Sequence, residues 1–531
     1  MKKRFYITTP IYYPSAKLHI GHAYCTTLTD VFARSKRERG YECYFLTGAD
    51  EHGLKIEKNA ELAGVTPQAF VDNIVDGFYK LWDLLKISND DFIRTTQDRH
   101  IKVVQEFFSK MLEKGDIYLG EYEGWYCRFC EAFWTDTQVG ENHVCPDCGR
   151  EVSRAKEEAY FFKTSNYIDS LMKFYDEHPD FLTPISRKNE MINTFIKPGL
   201  DDLCVSRTSF SWGIPVKENP KHVVYVWLDA LTNYISALGY GTDHPELFKK
   251  YWEDEDCEII HILGADITRF HAIYWPMFLE SMGIRKPDRE FVHGLLMMKD
   301  SKMSKSKGNV VDPYPLVERY GVDAVRYYLA REISFGSDGS FSPEQFVDRI
   351  NADLVNSYGN LLNRTISMII KYFDGVIPAY NEQVTDFDTG LEVLTEVTIE
   401  RYENAMDDLK ITDAITYVND LVNRCNKYID ETTPWALAKD ESKKEELASV
   451  MNHLARNLFV VSRLYHPVLV TASDKAFDQL GLSLEAREYN NIHDPNIVDN
   501  LKVNKGDLLF PRLDVNVEVP FIAELMGAKK E

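Results

Sequence analysis

Four short apolar runs in this chain each lead into a cluster of polar or small residues, and that recurring ending limits the fold more than any single motif. Arg4 to Thr9 reads as a strand followed by the loop Pro10 to Lys17. Glu42 to Thr47 leads into Gly48-Ala49-Asp50-Glu51-His52-Gly53, and Glu258 to Leu263 into Gly264-Ala265-Asp266. Phe291 to Leu296 leads towards Lys302-Met303-Ser304-Lys305-Ser306. Polar residues just beyond the carboxyl ends of buried strands predict an open parallel sheet, with ligands bound at that edge. No glycine-rich Walker sequence occurs, so a nucleotide would be held by another device.

The first such device is His19-Ile20-Gly21-His22. Leu18 to Arg39 reads as a helix with apolar groups at Ala23, Leu28, Val31 and Phe32. His19 and His22 then share one face of its first turn, where unpaired N–H groups and the helix dipole favour anions. Gly21 lets a base or ribose approach the backbone. Alone, such a pair reads more simply as two solvent-facing histidines. The second device is the lysine stretch. Where a reaction expels an anionic group, negative charge grows on it in the transition state, and cations such as Lys302 and Lys305 would stabilise that charge. Ser304, Ser306 and Gly308 predict a mobile loop. Alone, it reads as a solvated basic loop.

Together, and in this order, the two stretches resemble the signatures of class I aminoacyl-tRNA synthetases, and the resemblance narrows to the methionyl family over nearly the whole chain. It is carried by Ile11-Tyr12-Tyr13, by Asp50 in Thr-Gly-Ala-Asp-Glu-His-Gly, by Val226-Trp227-Leu228-Asp229-Ala230, and by Asp266-Ile267 with His271. The resemblance implies ATP-dependent activation of L-methionine and its transfer to initiator and elongator methionine tRNA, with Mg2+ on the ATP phosphates. It implies catalysis by His19, His22, Lys302 and Lys305, with Gly21 and Gly294 also touching ATP. Asp50 would pair with the methionine ammonium. Ile11, Trp227, Ala230, Leu231, Tyr234 and Ile267 would form an apolar wall, and Tyr13 and His271 would offer the sulfur weak hydrogen bonds. Core packing is the competing reading for Trp227 and Tyr234. Leu231 stands where related enzymes often have proline. Two rivals stay open: a class I relative for cysteine, valine or isoleucine, and a zinc-containing RNA-binding protein without activity. Amino-acid-dependent ATP–pyrophosphate exchange separates them.

Cys127 and Cys130, then Cys145 and Cys148 after a gap of fourteen residues, form two C-x2-C pairs. Four thiolates close a tetrahedral site with no open position, which predicts one structural Zn2+. His143 as a substitute ligand and disulfides are the alternatives. Cys25, Cys43, Cys204, Cys257 and Cys425 show no pairing pattern, and with no signal segment or membrane-spanning run the expected compartment is the cytoplasm.

With 531 residues, 44% of them hydrophobic, the chain can bury several cores. A formal net charge of −22 argues against broad binding to phosphates, leaving local strips such as Arg319, Arg326, Arg331, Arg349 and Arg364. The expected class is α/β: a Rossmann-like parallel-sheet catalytic domain (1–115 and 231–300), split by an insertion with the zinc knuckle (116–230). A junction (301–350) and an α-helical anticodon-binding bundle (351–531) follow. Leu354, Tyr358, Leu361, Thr365, Ile369 and Phe373 recur at helical spacing, as do Ile411, Ile415, Val418, Val422, Cys425 and Ile429. Opposite the second stripe, Asn419, Asn423 and Asn426 suit the edge of a splayed anticodon base, or form a solvated face. Trp435, after Pro434 with Thr433 as N-cap, packs or stacks. The family usually places a later tryptophan against the anticodon; none follows here, so Tyr489 is assigned. Residues Lys502 to Glu531 are too few for an appended β-barrel and are expected to pack back on the core, leaving a monomer.

Overall fold

The structure is a computed structural model describing residues 3–129, 132–134, 139, 142–146, 148–298, 301–302, 311–332, 336–382 and 384–526. It forms two compact units. The first comprises Met1–Leu18, Glu42–Trp82 and Ser88–His293, the second His19–Tyr41, Asp83–Ile87 and Gly294–Glu531.

The first unit carries, in chain order, β1 (Arg4–Tyr12), β2 (Glu42–Ala49), β3 (Asp91–Arg94), β4 (Ile117–Cys127), β5 (Ala132–Trp134), β6 (Ser153–Phe162), β7 (Leu182–Thr183), β8 (Leu203–Cys204), β9 (Ser206–Arg207), β10 (Val223–Val224), β11 (Cys257–Gly264) and β12 (Arg289–His293). Six of these form one sheet in the order β3-β2-β1-β11-β12-β7, with every pairing parallel. Ile7 lies between Phe45 and Ile260 in register. All three are fully buried, with Phe5, Leu46, Ile262 and Val292. Burial on both faces explains why these strands read as continuous apolar runs. β1 runs three residues further than its apolar run suggests, with a register irregularity between Thr8 and Ile11. Pro10 sits there and has no N–H for the ladder. β7 comes from the insertion and is only two residues long, too short to leave a periodic signal. In the insertion, β4 and β6 pair antiparallel from Ile117↔Phe162 to Tyr126↔Ser153, flanked by β5 and β8.

The second unit is mainly helical. Its small sheet joins β13 (Leu296–Met298), β14 (Ser301–Lys302) and β15 (Gly339–Ser340). The fourth expected strand is therefore divided: β12 stops at His293, and Leu296 begins a strand of the other unit. Both predicted helical stripes are real. Ile350–Gly359 and Asn360–Phe373 bury Leu354, Tyr358, Leu361, Thr365 and Ile369, and Ile411–Thr432 buries Ile411, Ile415, Val418, Val422, Cys425 and Ile429. Phe373 is only half-buried. The helix Lys444–Tyr465, buried from Ser449 onwards, is the centre of this bundle. Thr433 stands at the N-cap position of the short helix Pro434–Leu437 but makes no side-chain cap bond: its backbone is left-handed (φ 45°) and its N–H closes the preceding helix on Ile429.

The last segment packs within this unit. Glu518, on the helix Val515–Leu525, accepts from Arg319 Nε at 2.6 Å and from the Tyr320 hydroxyl at 2.6 Å. The proposed basic strip is neutralised here. Arg326 is fully buried against Asp30 at 2.7 Å, Arg349 bonds Glu332 and Asp353, Arg331 reaches Asp353, and Arg364 bonds Asp430. A guanidinium held by a carboxylate is poorly placed to draw a phosphate.

Candidate functional site

In the second unit His19 caps the helix Ile20–Glu38. Its Nδ1 accepts from Gly21 N at 3.1 Å, and His22 Nδ1 accepts from His19 N at 3.0 Å, a reciprocal box made by two histidines. A ring nitrogen that accepts a backbone N–H carries no proton, so each neutral ring holds its proton on Nε2. The ring centroids lie 3.9 Å apart, presenting two like donors side by side. A Cβ on Gly21 would come within 2.9 Å of His19 Cε1. A side chain there would crowd the capping His19 ring. Gly294 is more constrained still: a Cβ there would sit 1.8 Å from Ser337 O. Lys302 closes β14, whose backbone pairs with β13 at Met297. Lys305 lies outside the described residues.

In the first unit, of the residues expected to hold methionine, Ile11 and Tyr13 lie at the carboxyl end of β1, Asp50 just past β2 and Ile267 just past β11. Ile11 pairs in register with Gly48, and a Cβ on Gly48 would lie 2.2 Å from Ile93 O, so only glycine permits this strand contact. Asp50, one residue past β2, is buried, and its N–H bonds Tyr12 O at 3.0 Å. Tyr13 is half-buried, its ring under Lys55. Leu231 and Tyr234 are members of the core, with Ala230 also buried. Ile11, Trp227 and Ile267 pack against that core, partly open. Trp227 stacks flat on Phe270 at 3.7 Å.

His271 is buried and its tautomer follows from its neighbours. Nδ1 meets the Ile267 carbonyl at 3.1 Å, which can only accept, so Nδ1 holds the proton. Nε2 therefore accepts from the Tyr234 hydroxyl at 2.8 Å. Burial lowers its pKa to about 4, against smaller upward pulls from the Ile267 carbonyl and Asp266. Both nitrogens being committed, His271 has no donor to spare for a sulfur. The expected hydrogen bond from His271 to the sulfur does not fit this tautomer.

Three polar residues outside the expected set complete this side. Asp229, fully buried, faces His52 Nδ1 at 2.7 Å and His100 Nε2 at 2.8 Å. Burial raises its carboxyl, but the two imidazoles outweigh this and hold it at about 2. His52 and Asp229 sit inside motifs read for other residues. His100 has no local signal, because its partner is 129 residues away.

In the insertion the sulfurs of Cys127, Cys145 and Cys148 all lie within 4.8 Å of one another, with Cys127 and Cys148 at 3.6 Å. Zn–S bonds near 2.3 Å in a tetrahedron separate sulfurs by about 3.8 Å. The thiols present fit that ion. Cys130 lies outside the described residues. His143 is used otherwise, its ring stacked on Trp125 at 4.1 Å. Among the described residues no disulfide is formed.

On the helix Ile411–Thr432 the three asparagines differ. Asn419 is held by the Tyr327 and Tyr465 hydroxyls. Asn426 is half-buried and bonds Ser357 O and Val422 O. Asn423 is exposed, accepting from Ser357 Oγ at 3.3 Å. Tyr489 is buried, its hydroxyl on Glu403 at 2.9 Å, so its ring offers no open face for a base; Trp435 is 45% exposed.

The open parallel sheet with polar loops at its carboxyl edge, in a chain that also carries the histidine cap and the lysine strand, is the architecture of a class I aminoacyl-tRNA synthetase. A family described as "tRNA synthetases class I (M)" matches residues 5–157 and 150–366, and "Anticodon binding domain of methionyl tRNA ligase" matches residues 377–507. The methionine–tRNA ligase of Halalkalibacterium halodurans is 54% identical over 541 residues, covering 100% of this chain and 81% of that protein. That of Bacillus subtilis is 53% identical, covering 98% and 79%. A solved structure of Mycobacterium tuberculosis methionyl-tRNA synthetase in complex with methionyl-adenylate superposes with a TM-score of 0.91 at 40% identity, covering 96% of this chain and 100% of that one. The chain belongs to the methionyl-tRNA synthetase family. Among the described residues no helix is long and apolar enough to cross a membrane.

Proposed function

We propose that this protein is a methionine–tRNA ligase: it activates L-methionine with ATP to methionyl-adenylate and transfers the methionyl group to methionine tRNA. The observation that carries the reading is the extended identity to methionine–tRNA ligases, joined to a carboxylate and an apolar wall at one sheet edge. Asp50 pairs with the substrate ammonium, leaving the carboxylate to attack the α-phosphorus. Ile11, Trp227, Ala230, Leu231, Tyr234 and Ile267 receive the side chain, with Tyr13 donating to sulfur and His271 holding Tyr234 in place. The Nε2–H groups of His19 and His22 donate to ATP oxygens, Gly294 touches ATP through its backbone, and Lys302 and Lys305 stabilise charge on the leaving pyrophosphate. Mg2+ on the phosphates would supply further charge neutralisation.

Cys127, Cys130, Cys145 and Cys148 hold one structural Zn2+ in this reading, at 116–230 within a catalytic domain of 1–115 and 231–300. Residues 301–350 join it to the anticodon-binding part, 351–531, where Asn423 and the exposed ring of Trp435 meet the anticodon, and Asn419 and Asn426 orient the helix. One chain supplies every group named, so a monomer suffices. The test is pyrophosphate exchange with each amino acid in turn, followed by charging of methionine tRNA. Exchange dependent on cysteine, valine or isoleucine rather than methionine would replace this reading.

A further inference from the structure

The carboxylate of Asp229 joins the two sides of the methionine-side cluster. It lies between Trp227 and Ala230 in sequence, on the helix Val226–Leu231, whereas His52 follows Asp50 by two residues. A carboxylate can only accept, so both imidazoles must present N–H to it: His52 from Nδ1 at 2.7 Å, His100 from Nε2 at 2.8 Å. His100, on the helix Asp98–Glu113, reaches on through Nδ1 to Ser236 Oγ at 2.7 Å, on the next short helix, Asn233–Ser236, with Tyr234. Asp229 and His100 are fully buried and His52 nearly so.

The loop after β2 is anchored separately from its other side. Glu51 accepts from Arg94 Nε at 2.6 Å, its N–H bonds Thr95 Oγ1 at 2.9 Å, and its carbonyl accepts from Trp212 Nε1 at 2.6 Å. Weakening Asp229 therefore leaves the loop folded and frees its distance from the wall. A satisfied buried charge network is rigid, and the loss of one partner is costly, so this distance is tightly set.

We propose that Asp229, bridged to His52 and His100, is a positioning residue that gauges side-chain length by fixing the spacing between Asp50 and the apolar wall. The inference rests on the assignment of Asp50 to the substrate ammonium. An extra methylene in a fitted apolar pocket is rejected by roughly 10–200-fold, so the gauge is read in the ratio of kcat/KM for methionine over ethionine.

The experiment compares conservative pairs in the full-length protein, each checked by thermal melting. Glutamine places an amide N–H near the histidine Nε2 position, asparagine near Nδ1. His100→Gln should keep the methionine/ethionine ratio and His100→Asn should lower it at least about fivefold; at position 52 the order should reverse, His52→Asn keeping it and His52→Gln lowering it. Asp229→Asn should lower the ratio and raise the methionine KM about tenfold, leaving the ATP KM within about twofold. If Asp229→Asn does not fold, the histidine pairs decide. An unchanged ratio in folded His100→Asn and His52→Gln overturns the inference, whereas a merely structural network would move melting temperature alone. Asp50→Asn is the control. If it leaves methionine KM unmoved, the assignment of Asp50 has failed. If it abolishes methionine activation while the ratio never moves, only the gauge has failed.

Discussion

Replacing Tyr234 by phenylalanine removes one oxygen from a fully buried ring and leaves His271 Nε2 without its donor, now at 2.8 Å. A buried acceptor left unsatisfied costs about 1–3 kcal/mol, and every 1.4 kcal/mol is about tenfold in an equilibrium constant. With Nδ1 still on the Ile267 carbonyl, the imidazole keeps one anchor and loses the other. Binding must then select one ring orientation from several, which taxes methionine affinity and not ATP affinity. Tyr234→Phe should therefore raise the methionine KM in pyrophosphate exchange by roughly 5–100-fold, with the ATP KM unmoved. The pH dependence adds a second arm. Because burial holds His271 at about 4, below the ordinary 6.5, the unfolded chain takes up the proton first as pH falls. Its contribution to stability is full above pH 6.5 and declines towards pH 4, while methionine binding stays level from about pH 8 down to about 5. An unchanged methionine KM in folded Tyr234→Phe, or a methionine KM that breaks near pH 6.5, would refute the assignment of a neutral, tyrosine-held His271.

Gly294→Ala forces a Cβ to within 1.8 Å of Ser337 O, so urea unfolding should show a loss of at least about 2 kcal/mol. Freshly purified protein should hold about one zinc per chain by metal analysis, and Cys145→Ala should release it. Glu290 is fully buried on β12, with neither carboxylate oxygen hydrogen-bonded among the described residues, and burial pushes its pKa far up. Above the ordinary value near 4.5 the unfolded chain ionises while the folded one keeps its proton, so stability is lost as pH rises. Glu290→Met should therefore stabilise the protein by about 1–3 kcal/mol in melts at pH 8, with less gain at pH 4.5. Trp435→Ala should slow charging of methionine tRNA about tenfold or more while leaving pyrophosphate exchange unchanged; equal loss in both assays would remove it from anticodon contact.

Local chemistry is what the sequence by itself determined. Buried strands read as apolar runs because both sheet faces are covered, the helical stripes read as core at three- and four-residue spacing, and the histidine helix start sits within four residues. The cysteine pairs are legible for the same reason, since each turn supplies two ligands on its own. What only the tertiary structure decided depends on partners far along the chain. Arg326 reads as a basic surface residue until Asp30 is found beside it, and Asn419 reads as a recognition edge until two tyrosine hydroxyls claim it. Tyr489 and Trp435 are indistinguishable as aromatic candidates in one dimension, and burial alone separates them. The state of His271 and the bridge through Asp229 belong to the same class. A tautomer is set by the acceptor opposite each nitrogen, and no pattern in the sequence records which residues the fold will bring face to face.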